Sequence, residues 1–145
     1  MHRLIVAGAL AAILSGCAVE DGDERDAGGN NISPAPVAGS SFASEIVPLL
    51  RTRCATCHLT GQEAGKMALT PGAAHASLVG VRAEGAPGLT RVIPGDPDNS
   101  YLVMKLEGTH IARGGAGAQM PFGAPPIASG EIAMIRRWIA EGAQQ

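Results

Sequence analysis

Aromatic side chains are scarce in this 145-residue chain, which has one Trp, one Tyr and two Phe. A domain so poor in large side chains needs another body to fill its centre, or a small core of Ala, Val, Leu and Ile. No stretch alternates apolar and polar residues over strand length, and no internal repeat is visible; the pattern gives no support to a sheet. The longest apolar run, Leu4 to Leu14, has eleven residues, short of the about twenty that span a bilayer comfortably. Basic charge is not in excess either. The formal net charge is −2, and neither half of the chain has the basic patch that binds nucleic acid.

What is present begins with a leader. Met1-His2-Arg3 and the apolar run after it have the form of a secretory signal peptide over residues 1–16. The run ends in Leu14-Ser15-Gly16-Cys17, which resembles the lipobox of bacterial lipoproteins. That resemblance implies diacylation of Cys17 and cleavage before it, giving a stable anchor at roughly 0.8 kcal/mol per buried CH₂. Ala18 follows where an Asp would favour inner-membrane retention, so the outer membrane is favoured over the inner. Residues 17–40 then read as a lipidated cysteine and a flexible acidic tether. Glu20, Asp21, Asp23, Glu24 and Asp26 face only Arg25 there, and large apolar side chains are almost lacking. Residues 41–145 carry nine Lys or Arg against eight Asp or Glu, so the acidity of the chain belongs to the tether.

Residues 41–145 suffice for one core, and the fold class read from them is all-α, with about four short helices. Ser41 is placed to cap a helix with Phe42, Ile46, Val47, Leu49 and Leu50, which Pro48 interrupts or effectively starts. Thr70-Pro71 predicts an N-cap and first turn for a helix through His75, Leu78 and Val79 to Gly80. Asp96-Pro97 repeats that signal ahead of Tyr101, Leu102, Met104 and Leu106, with Gly108 as the stop. Ser129 is the predicted cap of a last helix, Glu131 to Glu141, ended by Gly142, with Ile132, Ile135 and Ile139 on one face. Gly- and Pro-rich loops, notably 114–126, join the helices.

The chemistry is concentrated in Cys54-Ala55-Thr56-Cys57-His58. A Cys-x-x-Cys-His run is the signature of c-type haem attachment. The two sulfurs are spaced for the two vinyl groups of one haem, and the adjacent imidazole for its iron. Three rival readings exist. Thiol redox expects a βαβ context, structural zinc expects four Cys or His ligands, and so short a pattern also arises by chance. No strand-helix alternation surrounds the motif, and no second paired cluster accompanies it, although His75 or His110 is available as a further ligand.

A low-spin electron-transfer haem takes a second ligand opposite the histidine, a methionine sulfur in cytochromes c. Met67 is close to His58 in sequence and hard to bring round to the far face. Met104 and Met134 fall inside helices, where core packing explains them. Met120 sits in the loop Gly117-Ala118-Gln119-Met120-Pro121-Phe122, where helix packing does not. His110 offers a bis-histidine alternative; otherwise His75 and His110 read as surface or loop histidines. Arg91 is a candidate partner for a haem propionate. Tyr101 and Trp138 read as core residues with hydrogen-bonded polar tips.

With this motif near its start and Met120-Pro121 before a final helix, the domain resembles the class I monohaem cytochromes c over residues 42–143. The resemblance implies a cytochrome c-like fold around one covalent haem c per chain, with His58 proximal and Met120 distal. It also implies N- and C-terminal helices in contact, here Phe42, Ile46 and Leu50 against Ile135 and Trp138. The segment from Arg91 to Leu102 resembles one that recurs in bacterial cytochrome c domains fused to or partnered with dehydrogenases. The carbonyl that would orient His58 falls at Pro71 or a neighbour. The function expected is that of a monomeric, membrane-tethered periplasmic electron carrier and not an enzyme. Its partners would be redox proteins such as a dehydrogenase or terminal oxidase. A peroxidase-like enzyme and a CO- or NO-binding sensor are the rivals, both requiring a labile sixth position.

Overall fold

A computed structural model describes residues 42–145. The leader, Cys17, the tether and Ser41 lie outside the described residues. Four α-helices, α1 (Val47–Arg53), α2 (Ala74–Leu78), α3 (Tyr101–Glu107) and α4 (Ser129–Ala140), are joined by long loops. Among the described residues there is no strand; isolated bridges pair Val79 with Val92, and Thr90 with Arg82 and Ser100.

Each helix end has a local cause. Pro48 stands in the first turn of α1, where a missing N–H is tolerated. Pro48 has no N–H to return to the carbonyl four residues back, and Phe42–Ile46 just upstream forms a wider, π-helical turn. The helix expected from Thr70 starts later, at Ala74. Pro71 to Ala73 form a turn, in which the Ala73 and Ala74 N–H groups both bond to the Thr70 carbonyl. Before α3, Ser100 is fully buried. Its hydroxyl accepts from the Ile93 N–H at 2.9 Å and donates to the Asp96 carbonyl at 2.8 Å, so it locks the Asp96-Pro97 turn and does not cap the helix. Gly108 ends α3 in the left-handed region at φ 76°. A 3₁₀ turn, His110–Arg113, follows in what the sequence presents as loop.

Helix α4 starts at Ser129, two residues earlier than expected. Ala128 takes the cap position, and Glu131 reaches back to accept the Ala128 N–H at 3.1 Å. Its end is a Schellman motif: Gly142 N–H bonds to Ile139 O (3.0 Å) and Ala143 N–H to Trp138 O (2.9 Å).

The N- and C-terminal segments meet as expected. Phe42 lies against Trp138 with ring centroids 5.1 Å apart. Ile46, Leu50, Ile135 and Ile139 are buried in the same cluster. Glu45 pairs with Arg137 and Arg53 with Glu131 across this contact. His75 is not a surface residue. It is half-buried in α2, edge-on to Phe42 at 5.2 Å, with Nε2 2.8 Å from the Ala143 carbonyl. Trp138 donates Nε1–H to the Gln144 carbonyl at 2.8 Å, a core residue with its polar tip satisfied.

Helix α3 is enclosed on several sides. Val103 and Leu106, three apart, enter the main cluster, while Tyr101 and Met104 enter a second with Ala83 and Ala86. Leu102 and Lys105, again three apart, face a large cavity.

Candidate functional site

The Cys54–His58 segment prolongs α1. Cys54 N–H bonds to Leu50 O at 2.8 Å, and His58 N–H to Cys54 O at 3.0 Å. In this helical turn, residues three and four apart share a face, which brings Cys54, Cys57 and His58 to one side. All three line a cavity of about 820 Å³, within the roughly 300–1,000 Å³ typical of ligand and cofactor pockets. Met67, Leu69, Leu78, Leu102 and Leu106 give it apolar walls. Met120 and Arg91 line it too, so the motif, the loop methionine and the arginine converge on one site.

Cys54 and Cys57 are both free thiols. Burial pushes the Cys54 thiol up from 9.0 to about 11, against a smaller lowering by Arg53. Nucleophilic redox cysteines need the opposite shift, so this environment does not favour a thiol-exchange centre. Among the described residues no three His, Cys, Asp or Glu side chains are grouped to hold a metal ion.

The His58 backbone is fixed by a loop that leaves and returns to it, closed by Leu69 N–H on His58 O at 2.8 Å. Within that loop the Glu63 carboxylate accepts from Thr60 and Gly61. Burial lowers the His58 pKa; the Ala64 carbonyl and then Glu63 oppose this, and Arg91 adds to the lowering. His58 Nδ1 is buried and makes no well-formed hydrogen bond. Ala64 is the backbone carbonyl that raises the His58 pKa, and Pro71 is not among the groups acting on it.

Met67 stays on the His58 side. A Cβ on Gly65 would lie 2.9 Å from Met67 Cε and 3.8 Å from His58 Cε1. Met104 is buried in the second cluster, and Met134 packs on the main one; neither lines the cavity. His110 is buried, not a surface residue, and does not line the cavity. Its Nε2 lies 2.8 Å from the Gly117 carbonyl.

Arg91 is buried, with NH1 donating to Ser77 O (2.6 Å) and NH2 to Gly65 O (2.6 Å) and Lys66 O (3.1 Å). Three of its five N–H groups therefore brace the cavity wall, a role the sequence did not suggest. Lys105 was missed as well. The available signal was a lone lysine among Leu102, Val103, Met104 and Leu106 on a helix buried nearly all round.

No protein-family model, curated protein or solved structure matches the chain.

Proposed function

We propose that residues 42–145 form a cytochrome c-like domain that binds one haem c through Cys54 and Cys57, with His58 and Met120 as iron ligands. A haem so held would supply a one-electron Fe(III)/Fe(II) couple. The observation that carries this reading is the convergence of the whole Cys-x-x-Cys-His set and Met120 on one largely apolar cavity of about 820 Å³.

The chain's own groups would act as follows. Cys54 and Cys57 offer two sulfurs from one helical turn. His58 offers an imidazole nitrogen from the same turn. Met120 offers a thioether, which favours the ferrous state. The leucine and methionine walls exclude water, and Arg91 holds two of the wall loops together. Arg91 keeps N–H groups beyond those spent on carbonyls, which suits it to a propionate. A signal peptide and a lipidated Cys17 would put this carrier on the periplasmic face of a bacterial membrane, within reach of a dehydrogenase or an oxidase.

Protein matured with export-side attachment machinery should gain the mass of one haem, and Cys57→Ala should retain at most one thioether. Met120→Ala should keep the haem, lower the potential and bind CO readily when reduced, where the parent binds it poorly. Zinc without haem in the wild-type protein overturns the reading; an unchanged Met120→Ala spectrum and potential moves the ligand elsewhere.

A further inference from the structure

Between Ala116 and Pro126 only Met120 and Pro121 are even partly shielded; the other side chains are exposed. Phe122, the largest of them, is 76% exposed. Beyond the packing of Met120 on the main cluster, apolar burial does little to fix this loop, and the rest of its hold is polar.

Those contacts converge on α3. The Lys105 ammonium donates to Ala116 O at 3.1 Å and, in a very short contact, to Ala118 O. The Lys105 carbonyl accepts the Met120 N–H at 3.0 Å. One residue thus grips the loop with its side chain and holds the methionine itself with its backbone. His110 supports the grip. Its Nε2 is 2.8 Å from Gly117 O, which requires the Nε2–H tautomer. The ammonium, 3.3 Å from that nitrogen, spends its hydrogens on the carbonyls. Gln119 Nε2 adds a bond to Leu106 O at 2.7 Å. The loop approaches so closely that a Cβ on Gly115 would sit 2.7 Å from Tyr101 Cε2.

We propose that Lys105 is the positioning residue for Met120: its ammonium clamps the Ala116 and Ala118 carbonyls so that the thioether is presented to the cavity. This rests on Met120 being an iron ligand, and it adds the device that keeps the ligand in place. The ammonium is placed where it neutralises carbonyl dipoles and not a carboxylate, and no neutral side chain of similar length offers three donors.

The test uses the haem-loaded protein. Lys105→Met keeps the stem and removes the donors. It should speed CO binding to the reduced protein about tenfold or more, since one hydrogen bond from a charged donor is worth at least that factor. Exchange of the Met120 amide should quicken by a similar factor, with the amides inside α4 unaffected. Lys105→Arg, with its fork of donors, should recover most of both. In a Met120→Ala background Lys105→Met should leave the CO rate unchanged. If Lys105→Met does not fold, Lys105→Gln serves with the same readouts. Should Met120→Ala open the site while Lys105→Met changes neither CO binding nor amide exchange, the clamp is refuted and the ligand stands. Should Met120→Ala change nothing, the ligand reading itself has failed.

Discussion

The two walls of the cavity are built by different means. The wall with Cys54, Cys57 and His58 continues a helix whose inner face is locked into the core by Ile46, Leu50 and Trp138. The wall with Met120 is an exposed loop held by side chains that bond to its carbonyls. A helix extension fixes its side chains by burial and local geometry, and it survives the loss of any single polar contact. A clamped loop has few contacts, nearly all polar, and each one counts. One wall is therefore a rigid platform, while the other is the part able to open.

The largest expected effect breaks the platform. Trp138 is fully buried, touches Phe42 and closes the chain end through Gln144. Trp138→Ala should cost about 3–5 kcal/mol, as large aromatic truncations in cores do. Chemical denaturation would measure it, and the helical signal should fall together with the tertiary one. A loss below 1 kcal/mol would mean that the two terminal segments are not the core of this domain.

Next in size is the brace behind the loops. Arg91→Met removes a charged donor from three carbonyls, those of Ser77, Gly65 and Lys66. Charge-assisted hydrogen bonds contribute about 1.5–3 kcal/mol, and a change in that range is expected in the unfolding free energy. Arg91→Lys should recover only part, because one ammonium cannot reproduce the planar fork. If Arg91→Met is neutral, the loops are held by something other than this guanidinium, and the contrast between the walls weakens.

How much of this was legible in the sequence follows the same division. Helices α1, α3 and α4 were readable because apolar spacing and Gly or Pro punctuation are local. Their contact through Phe42 and Trp138 was implied by resemblance and is present in the fold. The start of α2 was misplaced because Thr70-Pro71 builds a preliminary turn before the helix. His75 and His110 were read as surface or loop residues because nothing local shows that Phe42, Trp138 and Tyr101 pack on them. The convergence of Met120 with the Cys54–His58 turn was suggested by a methionine in a loop, where helix packing does not explain it, although in the fold it also packs on the main cluster. The Lys105 and Arg91 braces were not legible, since their partners are backbone carbonyls 11 to 26 residues away, and a carbonyl has no sequence signature.

The smallest effect sharpens the comparison. Arg53 and Glu131 form a two-pronged pair, Nε to Oε1 at 3.1 Å and NH2 to Oε2 at 3.0 Å, tying the end of α1 to the start of α4. The geometry is good, but the Arg53 side chain is 44% exposed and Glu131 27%, so water and salt screen the attraction. Exposed pairs contribute about 0.2–1 kcal/mol. A double-mutant cycle with Arg53→Met and Glu131→Gln should give a coupling in that range, shrinking as salt rises. Glu131→Gln alone should cost about as much as Arg53→Met alone, because a Gln oxygen can still accept the Ala128 N–H at the helix start. The Cys54–His58 turn should keep its geometry in both variants, since the buried Leu50 and Ile46 still hold it. A coupling well above 1 kcal/mol would make the platform depend on a polar tie, as the Met120 loop does, and the distinction between the two walls would then be one of degree.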